Sequence, residues 1–241
     1  MTAAGGDAGI AADRIPADRI PAGAGAGAGA DLARRRLYLC TPDRPDLERF
    51  VEACLKGGVD VVQLRDKELD EDRLVERART LGAVCAAHGV PFVVNDHPDL
   101  AVEAGAAGVH VGQDDVPAKM ARAVVGSDRL VGLSTHHPDE LEAATGEPVD
   151  YLSAGPVVPT PTKPGRPGTG LDYVRLATRR SPVPVWITGG VTPTAVPDLV
   201  AAGARHFVVV RWLTGSDDPE RAARALRTAI DDAIARTYDA G

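Results

Sequence analysis

VDVVQLRD (Val59–Asp66) is a β-branched apolar run that ends in charge. Helical spacing over Asp70–His88 follows, then Gly89, then a second run of the same kind, PFVVNDH (Pro91–His97). Strand, helix, strand is the order of a βαβ unit, whose two strands lie parallel. The pattern continues in both directions. Upstream stands RLYLCTP (Arg36–Pro42), with helical spacing over Asp46–Lys56. Downstream come GVHVGQDD (Gly108–Asp115), LVGLSTH (Leu130–His136), DYLSAGPV (Asp150–Val157), VPVWITGG (Val183–Gly190) and RHFVVVRW (Arg205–Trp212). His97–Ala107 and Leu171–Arg180 also carry helical spacing. Gly57-Gly58, Gly89, Gly105, Gly126, Gly146 and Gly203 stand where helices should close, and Asp46, Asp70, Pro98, Pro117 and Pro138 where they should open. Eight strands in this rhythm predict an α/β fold, a single (β/α)8 TIM barrel. An open Rossmann-like sheet is the other parallel arrangement, but no GxGxxG follows any strand.

Residues 1–33 read differently. A tandem ADRIP repeat (Ala12–Pro16, Ala17–Pro21) leads into an alternating Gly/Ala run, Ala22–Ala30. Such composition buries too little apolar area to offset its ordering entropy, so a disordered tail is expected, with the barrel over residues 34–241. The start lacks the basic and Leu/Val-rich stretches of a secretory signal. Formal net charge is −7, from 27 Lys+Arg and 34 Asp+Glu, without basic clusters. This argues against nucleic acid or an anionic membrane as partner, so an anionic substrate needs a local pocket. No run approaches the roughly 18 apolar residues of a membrane span. Cys40, Cys54 and Cys85 are scattered, which disfavours disulfides or zinc and fits a cytoplasmic protein. Aromatic residues are only 4% of the chain, so an aliphatic core is expected.

A TIM barrel carries its active site at the C-terminal ends of its strands. After the second strand, Gln63, Arg65 and Lys67 project to one side, since a strand alternates its faces. An amide and two cations at a barrel mouth suit a polyanion. The third strand ends in Asn95-Asp96 and the fourth in Gln113-Asp114-Asp115. Asp96 and Asp115 read either as Mg²⁺ ligands or as helix N-caps before Pro98 and Pro117. Ser134 ends the fifth strand and could bond a polar heterocycle. His136 and His137 are adjacent and share no face, and the remaining histidines read as surface or packing residues. The long segment Gly155–Gly170 carries Thr160, Thr162, Lys163 and Arg166, suits anion binding, and is expected to close as a lid. Gly189-Gly190 and Val210-Arg211 lie where this fold commonly binds phosphate.

The ordered set QLRDK, ND, GQDD, GLS, GP…TPTK, TGGV and VVR, spread over most of residues 36–215, closely resembles thiamine-phosphate synthases. That resemblance implies an enzyme condensing hydroxymethylpyrimidine diphosphate, an aminopyrimidine with a diphosphooxymethyl arm, with thiazole phosphate. The products would be thiamine phosphate and pyrophosphate. It implies a pyrimidine diphosphate site of Gln63, Arg65, Lys67, Asn95, Ser134 and Lys163, of which Arg65, Lys67, Ser134 and Lys163 would be catalytic. It implies Mg²⁺ on Asp96 and Asp115. The thiazole phosphate would meet Thr160, Thr162, Gly189, Gly190, Val210 and Arg211. Two departures stand out: Arg211 holds a place where relatives also carry a small hydroxyl residue, and Asp114-Asp115 replaces a frequent Glu-Asp pair. A thiazole tautomerase of the same fold would keep the phosphate site without the diphosphate clamp. A non-catalytic sensor of thiamine phosphates is a further reading, and another phosphate-binding barrel isomerase would want an acid/base pair at opposing strand ends.

Overall fold

The chain alternates strand and helix from its first element, because each β-branched run is too short to be a helix and each amphipathic stretch too long to be a strand. The computed structural model describes residues 31–160 and 167–239. Its elements are β1 (Leu37–Thr41), α1 (Leu47–Lys56), β2 (Val61–Leu64), α2 (Glu71–Ala87), β3 (Phe92–Asn95), α3 (Pro98–Glu103), β4 (Gly108–Val111) and α4 (Ala118–Val125). There follow β5 (Leu130–Thr135), α5 (Pro138–Ala144), β6 (Tyr151–Ala154), α6 (Gly170–Arg180), β7 (Val185–Thr188), α7 (Val196–Ala201), β8 (His206–Val209), α8 (Arg211–Thr214) and α9 (Pro219–Asp239). The strands pair in sequence order, all parallel, and β8 returns to β1 with Leu37 opposite Phe207, so the barrel is closed.

Several expected helix ends stand as read, and others differ, Gly146 among them, since Thr145 closes α5. Asp70 caps α2 by accepting the Arg73 amide at 2.8 Å. Asp46 makes no cap bond and pairs with Arg44 at 2.5 Å instead. Helix α1 ends with Gly57 in a right-handed conformation, and Gly58 (φ 106°) makes the reversal.

Alternation sorts the strand residues into two layers. Outward side chains such as Leu39, Val62, Val94 and Val109 meet the helices in an aliphatic layer, as the composition suggests. The interior differs from that expectation. Tyr38, Tyr151 and Trp186 fill the lower barrel, with Tyr38 and Trp186 edge to face at 5.3 Å. Gly132 leaves room for a large ring, since a Cβ there would lie 2.1 Å from Tyr151 Cζ. Most of the chain's few aromatic side chains need not be inside for these three to dominate the cylinder.

The barrel also begins earlier than the composition indicates. Leu32, assigned by sequence to the tail, is 1% exposed and packs among Tyr38, Val61, Leu130 and Trp186. One leucine beside a low-complexity stretch carries no periodic signal, yet it plugs the barrel floor. Above it, Asp60 ties the start of β1 to α9, accepting from the Arg36 and Leu37 amides and from Arg227 at 3.0 Å.

Two outcomes follow from this floor. Leu32→Ala should destabilise the protein by about 2–5 kcal/mol in denaturant unfolding, the usual range for an unfilled leucine site; no change would mean the floor is sealed without it. His206, packed on Trp186 at 5.0 Å, donates Nδ1–H to the Arg35 carbonyl at 2.6 Å. Burial, aided by Arg36 and Arg205 and opposed by that hydrogen bond, pushes its imidazole down to about 4. The unfolded chain therefore binds the extra proton first. Stability should fall as pH drops from about 6.5 to about 4, by up to about 3 kcal/mol. Over that window His206→Gln should show a flatter pH–stability profile than the parent; identical slopes would contradict this.

Candidate functional site

At the C-terminal mouth of the barrel lies a cavity of about 330 Å³, large enough for a small ligand. It gathers Gln63, Arg65, Asn95, Ser134, Thr160, Gly189, Gly190, Val210 and Arg211 from β2 through β8. Each is a strand end or the residues just beyond one. Thr162, Lys163 and Arg166 lie outside the described residues, as does the centre of the segment expected to act as a lid.

On one wall the buried Gln63 donates Nε2–H to Asn95 Oδ1 at 2.8 Å, which holds both amides in fixed orientation. Arg65 continues the inward side of β2 into the cavity. Lys67, farther along, stands on the rim with Nζ 3.5 Å from Asp96 Oδ2.

Asp96 is the sole non-glycine residue with positive φ (66°) among those described. That conformation ends β3 sharply and turns the carboxyl sideways toward Asp115, with which it hydrogen-bonds. Neither carboxylate caps a helix through its side chain: α3 opens at His97 and α4 at Pro117, without side-chain cap bonds. Asp115 instead accepts the Gly112 amide at 2.9 Å. Burial raises the Asp96 carboxyl, and its neighbour Asp115 raises it further, against the pull of Lys67. For Asp115 burial also raises, but the hydrogen bond from Asp96, the Gly112 amide, Lys67 and Arg65 outweigh it and bring it down. Asp96 is therefore the carboxyl of the pair that takes up a proton first as pH falls. Two carboxylates in contact are a pair suited to a cation. Among the described residues no three His, Cys, Asp or Glu side chains converge on a possible metal position.

The opposite wall is backbone. Gly189 and Gly190 have φ of 86° and 79°, and a Cβ on Gly189 would lie 2.4 Å from Pro156 Cβ. Only glycine permits the β6 and β7 loops to meet there. Thr160 from the β6 loop and Val210-Arg211 after β8 border this turn.

Sequence reasoning missed several lining residues. His110 was set among the packing histidines, yet its Nε2 lies 2.9 Å from Ser134 Oγ. No sequence signal sets it apart from a packing histidine; the register of β3 and β4, which places it opposite Asn95, does. Ser153 and Thr188 also line the cavity, and so does Cys40. Cys54 and Cys85 are sealed under helices, where burial pushes both thiols up to about 12. His136 and His137 both engage Glu140, at 2.8 and 2.9 Å.

A family model described as thiamine monophosphate synthase matches residues 37–213. The chain belongs to that family. A thiamine-phosphate synthase of Mycolicibacterium smegmatis is 44% identical over 215 residues, covering 84% of this chain and 95% of that protein. One from Mycobacterium bovis is 46% identical, with 83% and 96% covered. Among solved structures, thiamine phosphate pyrophosphorylase from Pyrococcus furiosus superposes with a TM-score of 0.76 at 26% identity, covering 83% of this chain and 96% of that one. The chain shares its fold with that structure, and its cavity stands at the C-terminal end of its closed barrel.

Proposed function

We propose that this enzyme joins hydroxymethylpyrimidine diphosphate to thiazole phosphate, forming thiamine phosphate and releasing pyrophosphate. The observation that carries the reading is a single cavity with two unlike walls. Arg65 lines one side, with the Lys67–Asp96–Asp115 cluster beside it and outside the cavity lining itself, and the Gly189-Gly190 turn lines the other. The first suits a diphosphate with its cation, the second a phosphate monoester.

In this reading the aminopyrimidine sits against Gln63, Asn95 and Ser134. Arg65, Lys67 and Lys163 receive the diphosphate. Thr160, Thr162, Gly189, Gly190, Val210 and Arg211 hold the thiazole phosphate. Asp96 and Asp115 would hold Mg²⁺, with diphosphate oxygens and water completing its shell, and the ion would offset charge on the leaving group. The C–O bond breaks with its electron pair leaving on pyrophosphate, and the thiazole nitrogen lone pair then forms the C–N bond to the pyrimidine methylene. No protein nucleophile is required. The chain's residues act by neutralising the leaving group and by keeping the two partners in line. The substrates are small molecules of the cytoplasm. Among the described residues no helix is long and apolar enough to cross a membrane.

A tautomerase would need the phosphate wall alone. The Lys67–Asp96–Asp115 cluster beside Arg65 favours the synthase.

Purified protein should release pyrophosphate only when both substrates and Mg²⁺ are present. Thiazole rearrangement without pyrophosphate would mean a tautomerase, and binding without turnover a sensor. Asp96→Asn and Asp115→Asn should each cut turnover on the order of 100-fold or more, the scale of several kcal/mol of lost charge stabilisation. Asparagine tolerates positive φ, so Asp96→Asn should keep the fold and its thermal midpoint. Near-normal activity in both variants across Mg²⁺ concentrations would remove the metal assignment.

A further inference from the structure

Beneath Ser134 a line of buried polar groups descends the barrel interior. Ser134 Oγ lies 2.9 Å from His110 Nε2, His110 Nδ1 lies 3.2 Å from the Tyr151 hydroxyl, and that hydroxyl lies 3.1 Å from Tyr38 Oη. His110 and Ser134 line the cavity. Gly132 stands between His110 and Tyr151 in the register of β4, β5 and β6. A Cβ there would fall 2.1 Å from Tyr151 Cζ and 2.5 Å from His110 Nδ1, so the contact exists because β5 carries glycine at that point.

The proton count gives this line a direction. Burial pushes both phenols well above their ordinary range, so each hydroxyl keeps its hydrogen. Among the described residues the Tyr38 hydroxyl meets only that of Tyr151. Were Tyr151 to donate downward, the Tyr38 hydrogen would be left buried without an acceptor. Tyr38 therefore donates to Tyr151, and Tyr151 donates to Nδ1. A neutral His110 then carries its proton on Nε2 and donates to Ser134 Oγ. That turns the Ser134 hydrogen away from His110. On the neighbouring wall Gln63 spends an N–H on Asn95, which leaves its Oε1 as an acceptor.

We propose that His110 is a positioning residue that, through Tyr151 and Tyr38, fixes Ser134 as a hydrogen-bond donor and so selects a heterocycle offering a ring-nitrogen acceptor beside an amino donor. The inference rests on the pyrimidine site assigned under the proposed function. A heterocycle with an oxo group and a ring N–H at those positions presents the reverse pattern and meets donor against donor at Ser134.

The test uses the full chain and compares kcat and KM for the aminopyrimidine diphosphate and its oxo analogue. The wild type should prefer the amino substrate by roughly 100-fold or more in kcat/KM, as sites that read polar groups do. Tyr151→Phe frees His110 to move its proton to Nδ1 and should lose about tenfold of that preference, mainly through KM. His110→Leu should lose as much, and His110→Gln, which keeps an amide donor, should recover part. Thermal midpoints identify any variant that fails to fold, and the remaining variants then decide. Preference unchanged in the folded variants would overturn the proposal, as would an equal loss on both substrates. A wild type that turns over neither substrate would overturn the functional reading and this inference with it. An active wild type with unchanged variant selectivity would overturn this inference alone.

Discussion

The hydrogen-bonded return of β8 to β1, with Leu37 opposite Phe207 and Leu39 opposite Val209, turns eight strands of four to six residues into a cylinder. Without that closure β1 and β8 would be the edges of an open sheet, with β2 and β7 near its opposite ends. With it, Gln63 and Arg65 face the same cavity as Gly189 and Gly190. Parallel strands also all end on one side, so eight loops deliver their polar residues to one mouth. The helices outside contribute little chemistry. They cover the aliphatic outer layer and leave the inward positions to the site above and the aromatic plug below.

Inside the mouth the arrangement is governed by charge. The chain is acidic overall, so any affinity for anions at the mouth has to be local. Arg65 lines the cavity there, with Lys67, Asp96 and Asp115 beside it. Two carboxylates next to two cations look self-cancelling until their own contact is considered. Asp96 is half-buried and hydrogen-bonded to Asp115, which raises the Asp96 carboxyl above its ordinary range. In the proposed reading Asp96 and Asp115 would hold a divalent cation, which would supply positive charge toward a phosphate ligand. The positive φ at Asp96 sets this up, since an extended residue there would carry the carboxyl elsewhere.

The architecture was legible in the sequence because β-branched runs of regular spacing, closed by Gly and opened by Pro, leave few alternatives to a barrel. The polar strand ends were legible for the same reason: Gln63, Arg65, Asn95, Ser134 and the Gly189-Gly190 pair stand where the fold puts chemistry, and the cavity gathers them. Asp96 and Asp115 were ambiguous, because an aspartate one or two residues before a proline is what a helix cap also looks like. Only backbone direction separates the two. His110 was missed because a histidine within an apolar strand reads as packing until its register with Asn95 is known. Leu32 was missed because its neighbours are low in complexity and a single plug has no period. The aromatic floor was hidden by composition, since Tyr38, Tyr151 and Trp186 are few and far apart along the chain and meet only once the barrel closes.

In the proposed function, anion affinity at this mouth is completed by a cation on Asp96 and Asp115, working with Arg65 and Lys67. Calorimetric titration of pyrophosphate into the intact chain, with Mg²⁺ and with the metal chelated, tests it without any turnover. Binding should be at least about tenfold tighter with Mg²⁺, equivalent to 1.4 kcal/mol or more, and Asp115→Asn should remove that difference. Equal affinity in both conditions, in the parent chain, would contradict the account.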